Sequence, residues 1–125
     1  MDRAPARRLA LGEGLSFAIA DVAEAVARGY AGLLLRETPG TAGIGYWLVP
    51  DARGGGRATR AVGLLARWAL AEAGVVRVEA HVEAGNHASQ RVLERAGFRR
   101  EALLRSYLAF PTRRADALVY ALVRD

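Results

Sequence analysis

The chain has 125 residues, 52% of them hydrophobic and 25% charged, with no cysteine and a formal net charge of +5. This length fits one domain over residues 1–125 whose core removes roughly two-thirds of the unfolded surface from water. Disulfides, thiolate metal sites and a cysteine nucleophile are excluded, and no apolar run is long enough to cross a bilayer, so a soluble cytoplasmic protein with no membrane partner is expected.

The first eleven residues combine three arginines with Asp2 and Pro5 and are followed by no apolar leader core. Leu15 to Ala20 and Val26 to Arg36 read as two strands of a hairpin, although Ile19 to Ala27 also fits a short helix. Thr38-Pro39-Gly40-Thr41 reads as a turn, followed by a third strand over Gly43 to Val49, rich in β-branched and aromatic residues and stopped by Pro50. Thr59 to Ala73 repeats apolar residues at helical spacing, and Gly74 ends it. Arg77 to Glu83 alternates as a strand. Asn86 caps a helix running to Arg95 or Ala96, and Gly97 supplies its left-handed end. Phe98 to Phe110 and Ala115 to Val123 close the chain as strands around the turn at Pro111 to Arg114. This order predicts an α/β fold, a mixed central sheet flanked by helices.

Between the third strand and the first helix stands Arg53-Gly54-Gly55-Gly56-Arg57-Ala58. A helix start exposes orphan N–H groups and the positive end of the helix dipole, and glycine lets that backbone approach an anion. Arg53, Arg57 and Arg60 add charge. The hexapeptide thus reads as a phosphate cradle, against the alternative of a flexible glycine linker. It is neither a Walker loop, for want of the Lys-Ser/Thr ending, nor a G-x-G-x-x-G dinucleotide turn. All eighteen basic residues are arginine, and the excess favours an anionic ligand, a phosphorylated cofactor or nucleic acid. Arg99, Arg100, Arg105, Arg113 and Arg114 form a second group, read as a solvated strand face.

The spacing Arg53-x-x-Gly56-x-Ala58 resembles the pyrophosphate loop of the GNAT N-acetyltransferase superfamily. Five further segments extend the resemblance to the RimJ/RimL-type branch: Gly45-Tyr46-Trp47-Leu48, Arg77-Val78-Glu79-Ala80, Asn86 to Leu93, Ala96-Gly97-Phe98 and Glu101 to Tyr107. The resemblance implies an acetyl-CoA-dependent transferase of an acetyl group to a primary amine, a protein N-terminus or a small molecule, by direct attack within a ternary complex. It implies CoA as cosubstrate and no metal. The pantetheine arm would lie against backbone at Leu48 and Val49, between this strand and a splayed Arg77–Glu83 strand. The pyrophosphate would sit at Arg53, Gly54, Gly55, Gly56, Arg57, Ala58 and Thr59, with Asn86 and Ser89 reaching toward the sulfur.

Both polar residues also have ordinary roles, Asn86 as a helix cap and Ser89 as a first-turn serine. The tyrosine that many family members carry four residues after the serine is Leu93 here, which leaves Ser89 as the candidate acid for the departing thiolate. No general base is assigned, since the family position for a glutamate is Leu108. Glu79, His81 and Glu83 read as alternating charges on a solvated strand face rather than a metal site, and His87 as exposed. Tyr107, Asp116 and Tyr120 are read as structural first and as acceptor-site residues second.

A complete member of this branch would begin with another strand and two helices, here absent or reduced to the first fourteen residues. Two other readings follow, a CoA-binding remnant or regulatory module of weak activity, and a basic nucleic-acid-binding domain. Against the last, aromatic residues are few and not interleaved with the arginines, so no nucleic-acid partner is expected. An uncovered sheet edge and face predict a homodimer.

Overall fold

The structure, a computed structural model, describes residues 14–21, 26–48, 53 and 56–124. Its elements follow the expected order. They are β1 (Leu15–Asp21), β2 (Val26–Leu35), β3 (Thr41–Leu48), α1 (Arg57–Glu72), β4 (Arg77–Glu83), α2 (His87–Arg95), β5 (Arg99–Ala109) and β6 (Arg114–Val123). In the stretch Ile19 to Ala27, Ile19 to Asp21 and Val26 to Ala27 are strand rather than helix, and residues 22–25 lie outside the described residues. Thr41, placed in a turn by sequence, opens β3; its N–H closes the Thr38–Gly40 turn and its carbonyl accepts from the Arg36 N–H at 2.8 Å. α1 begins two residues before Thr59, at Arg57, because Gly56 takes the cap position.

The six strands form one mixed sheet in the order β1-β2-β3-β4-β6-β5, with β1 at one edge. All neighbours are antiparallel except β3 and β4. The strand pattern explains which face is covered. On β4, Val78, Ala80 and Val82 are buried while Arg77, Glu79, His81 and Glu83 alternate outward, the period-2 signature of a strand with one packed face. Both helices lie on the packed face. The buried stripe of α1, from Ala58 through Val62, Leu65, Ala66 and Ala69 to Leu70, joins Leu33, Ile44, Leu48 and Val78 in the core. α2 contributes Leu93, and Tyr120 Oη–H, fully buried, donates to Glu94 Oε1 of this helix at 3.2 Å. Among the described residues no helix covers the opposite face, where Tyr30, Leu34 and Trp47 are about half exposed.

Backbone approach is tightest where β2 crosses β3. A Cβ on Gly29 would come within 1.9 Å of the Trp47 carbonyl oxygen, so this position accepts only glycine without moving β3.

Candidate active site

The parallel seam between β3 and β4 holds only Thr41↔Arg77, Ala42↔Val78 and Gly43↔Glu79. Beyond Gly43 the two strands part company. β3 continues to Leu48 paired with β2 alone, and β4 continues to Glu83 paired with β6. The sheet therefore contains a fork in its middle, with a strand edge whose polar groups have no strand partner on that side among the described residues. This is the splay implied by the family resemblance.

At the open end of β3 the chain turns into α1. The Leu48 carbonyl accepts from Arg53 Nε–H at 3.2 Å, which ties the loop back to the strand. Arg53 is thus partly a loop fastener. Gly56, at φ 76°, stands in the left-handed region that side chains other than glycine adopt at a cost, and its carbonyl accepts the first helical bond from the Arg60 N–H at 3.0 Å. The helix start has no side-chain cap from Gly56 and no acidic residue in its first turn, so among the described residues no carboxylate of that turn meets its N–H groups and dipole. Ala58 is buried in the core, which leaves its N–H as the group it can offer; Arg57 and Thr59 are half-buried. Val49, Gly54 and Gly55 lie outside the described residues.

The turn from β4 into α2 builds the other wall. Asn86 Oδ1 accepts from the Ser89 N–H at 3.1 Å, so the side chain does serve as the helix cap. Gln90, buried, donates from Nε2 to the Ala84 carbonyl at 2.8 Å and fixes the turn. His87 is exposed, as the sequence indicated. Leu93 is 0% exposed, a core residue where a catalytic tyrosine would stand in many relatives.

One residue escaped sequence reasoning. Tyr46 reaches from β3 across the fork to α2, where its Oη is hydrogen-bonded to Ser89 Oγ and also lies 3.1 Å from the Ser89 carbonyl oxygen, a second acceptor for its one hydrogen. Burial lifts the phenol above its ordinary value, against the lowering effect of the Ser89 bond. The available hint was that Ile44, Tyr46 and Leu48 share the core face and that a tyrosine there needs a polar partner. The partner lies 43 positions away, beyond the reach of local spacing.

On the helix-free face the charges of β4 are more shielded than the solvated face expected of them. Glu79 accepts from Arg77 Nε at 2.9 Å and its side chain is only 19% exposed. His81 stands edge-on to Tyr107, ring centroids 5.3 Å apart, and burial together with nearby Arg36 pushes its pKa below the ordinary 6.5, with Glu79 opposing. Glu83 pairs with Arg113 at 2.8 Å. Among the described residues no cluster of metal-ligating side chains forms. Asp116 accepts from the Ser106 N–H at 2.7 Å and Tyr120 is core, a structural contact for each. Arg99, Arg100 and Arg105 are exposed, and Arg113 stacks over Phe110 at 4.3 Å. A groove of about 620 Å³ runs over Gly32, Gly43 and Gly45, with Leu34 and Arg36 among its lining residues.

The sequence profile of the acetyltransferase (GNAT) domain family matches residues 1–99. The chain belongs to the GNAT family. Among curated GNAT relatives, it is 42% identical over 72 residues to the probable N-acetyltransferase YjcK of Bacillus subtilis (strain 168), covering 58% of this chain and 40% of that protein. It is 31% identical over 81 residues to the uncharacterized N-acetyltransferase YoaA of the same organism, covering 65% and 46%. The matched segments thus span less than half the length of these curated relatives. Among solved structures, Mycobacterium smegmatis RimJ, in complex with CoA-disulfide, superposes with a TM-score of 0.80 at 28% identity, covering 94% of this chain and 56% of that one. The fold is accordingly the GNAT fold, with a RimJ acetyltransferase among its structural neighbours.

Proposed function

We propose that this chain is an N-acetyltransferase that uses acetyl-CoA and a primary amine, either a protein N-terminal amine or a small-molecule amine. The observation that carries this reading is the fork opening beside a helix N-terminus that starts at a left-handed glycine, Gly56, with no side-chain cap among the described residues. A pantetheine arm can hydrogen-bond the open edge of β3 at Leu48 while the pyrophosphate meets the N–H groups from Gly56 to Thr59, with Arg53 and Arg57 adding charge; Val49, Gly54 and Gly55 are assigned to the ligand by the family resemblance alone. M. smegmatis RimJ, which shares the fold, is bound to a CoA derivative, and this supports the same ligand here.

In the proposed reaction the amine nitrogen attacks the thioester carbon, the carbonyl oxygen gathers negative charge, and the C–S bond then breaks. Backbone N–H groups of the open β3 edge are the available oxyanion donors, of the kind whose removal costs a few kcal/mol of barrier. Ser89 Oγ–H donates to the departing sulfur, and Asn86 holds the turn that presents it. The amine must arrive unprotonated. At pH 7 this costs about 1.4 kcal/mol for an α-amine and about 4.6 kcal/mol for a lysine, so a site in which no described carboxylate is assigned as base favours low-pKa amines. No metal takes part in this scheme.

Thiol release from acetyl-CoA across a panel of N-terminal peptides and small amines, alongside calorimetry with CoA, tests the proposal. Ser89→Ala should lower kcat and leave CoA affinity nearly unchanged. CoA binding with no thiol release from any acceptor would favour the second reading, a CoA-binding module of weak activity, to which the core position of Leu93 lends support. Failure to bind CoA would sink both. The half-exposed Tyr30, Leu34 and Trp47 on the helix-free face support association into a homodimer.

A further inference from the structure

Resting on the transferase reading, the geometry around Ser89 raises a question of proton direction. An alcohol is a poor acid, so Ser89 assists the sulfur only if its own hydrogen points at it. Ser89 Oγ has one hydrogen, and Tyr46 Oη has one hydrogen facing two acceptors, Ser89 Oγ and the Ser89 carbonyl oxygen. If Tyr46 donates to the carbonyl, the contact between the hydroxyls is made with the Ser89 hydrogen, which is then turned toward Tyr46 and away from the fork. If Tyr46 donates to Ser89 Oγ, the Ser89 hydrogen is free for a third atom. A sulfur gathering negative charge in the fork selects the second arrangement, because a chain of aligned hydrogen bonds polarises toward the charge.

We propose that Tyr46 is a positioning residue for Ser89: its phenolic hydrogen, given to Ser89 Oγ, turns the serine hydrogen toward the leaving sulfur. Tyr46 comes from β3 and Ser89 from the first turn of α2, so the pair spans both walls of the fork. The Ser89 backbone is held at the same time by Asn86, whose Oδ1 accepts from the Ser89 N–H at 3.1 Å. The serine therefore has a fixed backbone, a hydroxyl acceptor site that is filled, and a single free donor. Burial keeps the phenol protonated through the physiological range, so it remains a donor. Neither hydroxyl is consumed. In the whole reaction the amine nitrogen loses one proton and the sulfur gains one, and the pair holds the sulfur only while charge passes through it.

Tyr46→Phe, Ser89→Ala and the double variant form the test, read by kcat and KM for acetyl-CoA, CoA affinity by calorimetry, and melting temperature. The expected result is a kcat loss of roughly tenfold in each single variant, with CoA affinity and KM close to wild type. The double variant should be no slower than Ser89→Ala, since a residue acting through Ser89 has nothing to orient once the hydroxyl is gone. A packing role alone would lower the melting temperature, and its effect on kcat would add to that of Ser89→Ala. Full wild-type kcat in a folded Tyr46→Phe, or additive losses, overturns the inference. So does tighter CoA binding by Tyr46→Phe, which would make the contact a plug across the fork. A wild-type protein that releases no thiol overturns the transferase reading and this inference with it, whereas an active wild type with an unaffected Tyr46→Phe removes the inference alone.

Discussion

Gly56 is where backbone geometry and ligand binding meet most directly, and Gly56→Val separates the two. At φ 76° a side-chain-bearing residue costs about 1–2 kcal/mol, and a β-branched one sits at the upper end. The added Cβ would also stand 3.1 Å from Arg60 Nη1, a contact a flexible side chain can yield. The strain therefore falls on the turn, and relaxing it rotates the first N–H groups of α1 away from the loop. Calorimetry with CoA should show at least a tenfold weaker affinity, about 1.4 kcal/mol. Gly74→Val is the matched control, since Gly74 has φ 71° and open space around it at the far end of the same helix. It should lose a similar amount of stability with no change in CoA affinity. The reasoning fails if folded Gly56→Val binds CoA as wild type does, or if Gly74→Val weakens binding equally.

Other substitutions probe the surroundings. Leu93→Tyr places the family's usual tyrosine into a fully buried core position; overpacking should cost about 1–3 kcal/mol, seen as a lower melting temperature, with no gain in kcat, and a stable variant of higher kcat would refute this. His81 has a folded pKa below 6.5, so the unfolded chain takes up its proton first as pH falls, and its contribution to stability is present above about 6.5 and lost below it. Between pH 7.5 and 5 the wild type should therefore lose more melting temperature than His81→Gln. Glu101, whose carboxyl Arg77 holds below its ordinary value, loses its contribution at lower pH, below about 4.5, outside this window. Light scattering at micromolar concentration should give twice the chain mass, and a well-folded monomer would remove the dimer proposal.

The order of the elements was legible in the sequence because each has a strong period: the alternation of Arg77 to Glu83, the helical repeat over Thr59 to Ala73, the cap and left-handed glycine around α2. Local geometry set by distant partners was not. α1 starts two residues before the periodic run that marks it, because a glycine run carries no boundary of its own and only the backbone of Gly56 reveals the cap. Ser106 lies at φ 53° inside the irregular part of β5, a conformation that serine does not advertise. It is held there by Asp116 and by Arg114, whose Nη2 donates to the Ser106 carbonyl at 2.6 Å. The loop residues at the fork were readable as glycine and arginine chemistry, whereas the Tyr46–Ser89 bond joins segments that no local pattern relates.

The short seam between β3 and β4 has a mechanical side. With three residue pairs across it, the sheet is two three-stranded panels, β1-β2-β3 and β4-β6-β5, hinged at one end and braced from one face by α1. Each panel keeps its own antiparallel ladders, so amides at the hinge should exchange with solvent through a smaller opening than those inside either panel. A ligand laid in the fork would touch both panels and act as a second brace, slowing exchange at Thr41 to Gly43 and Arg77 to Glu79, although it contacts neither segment.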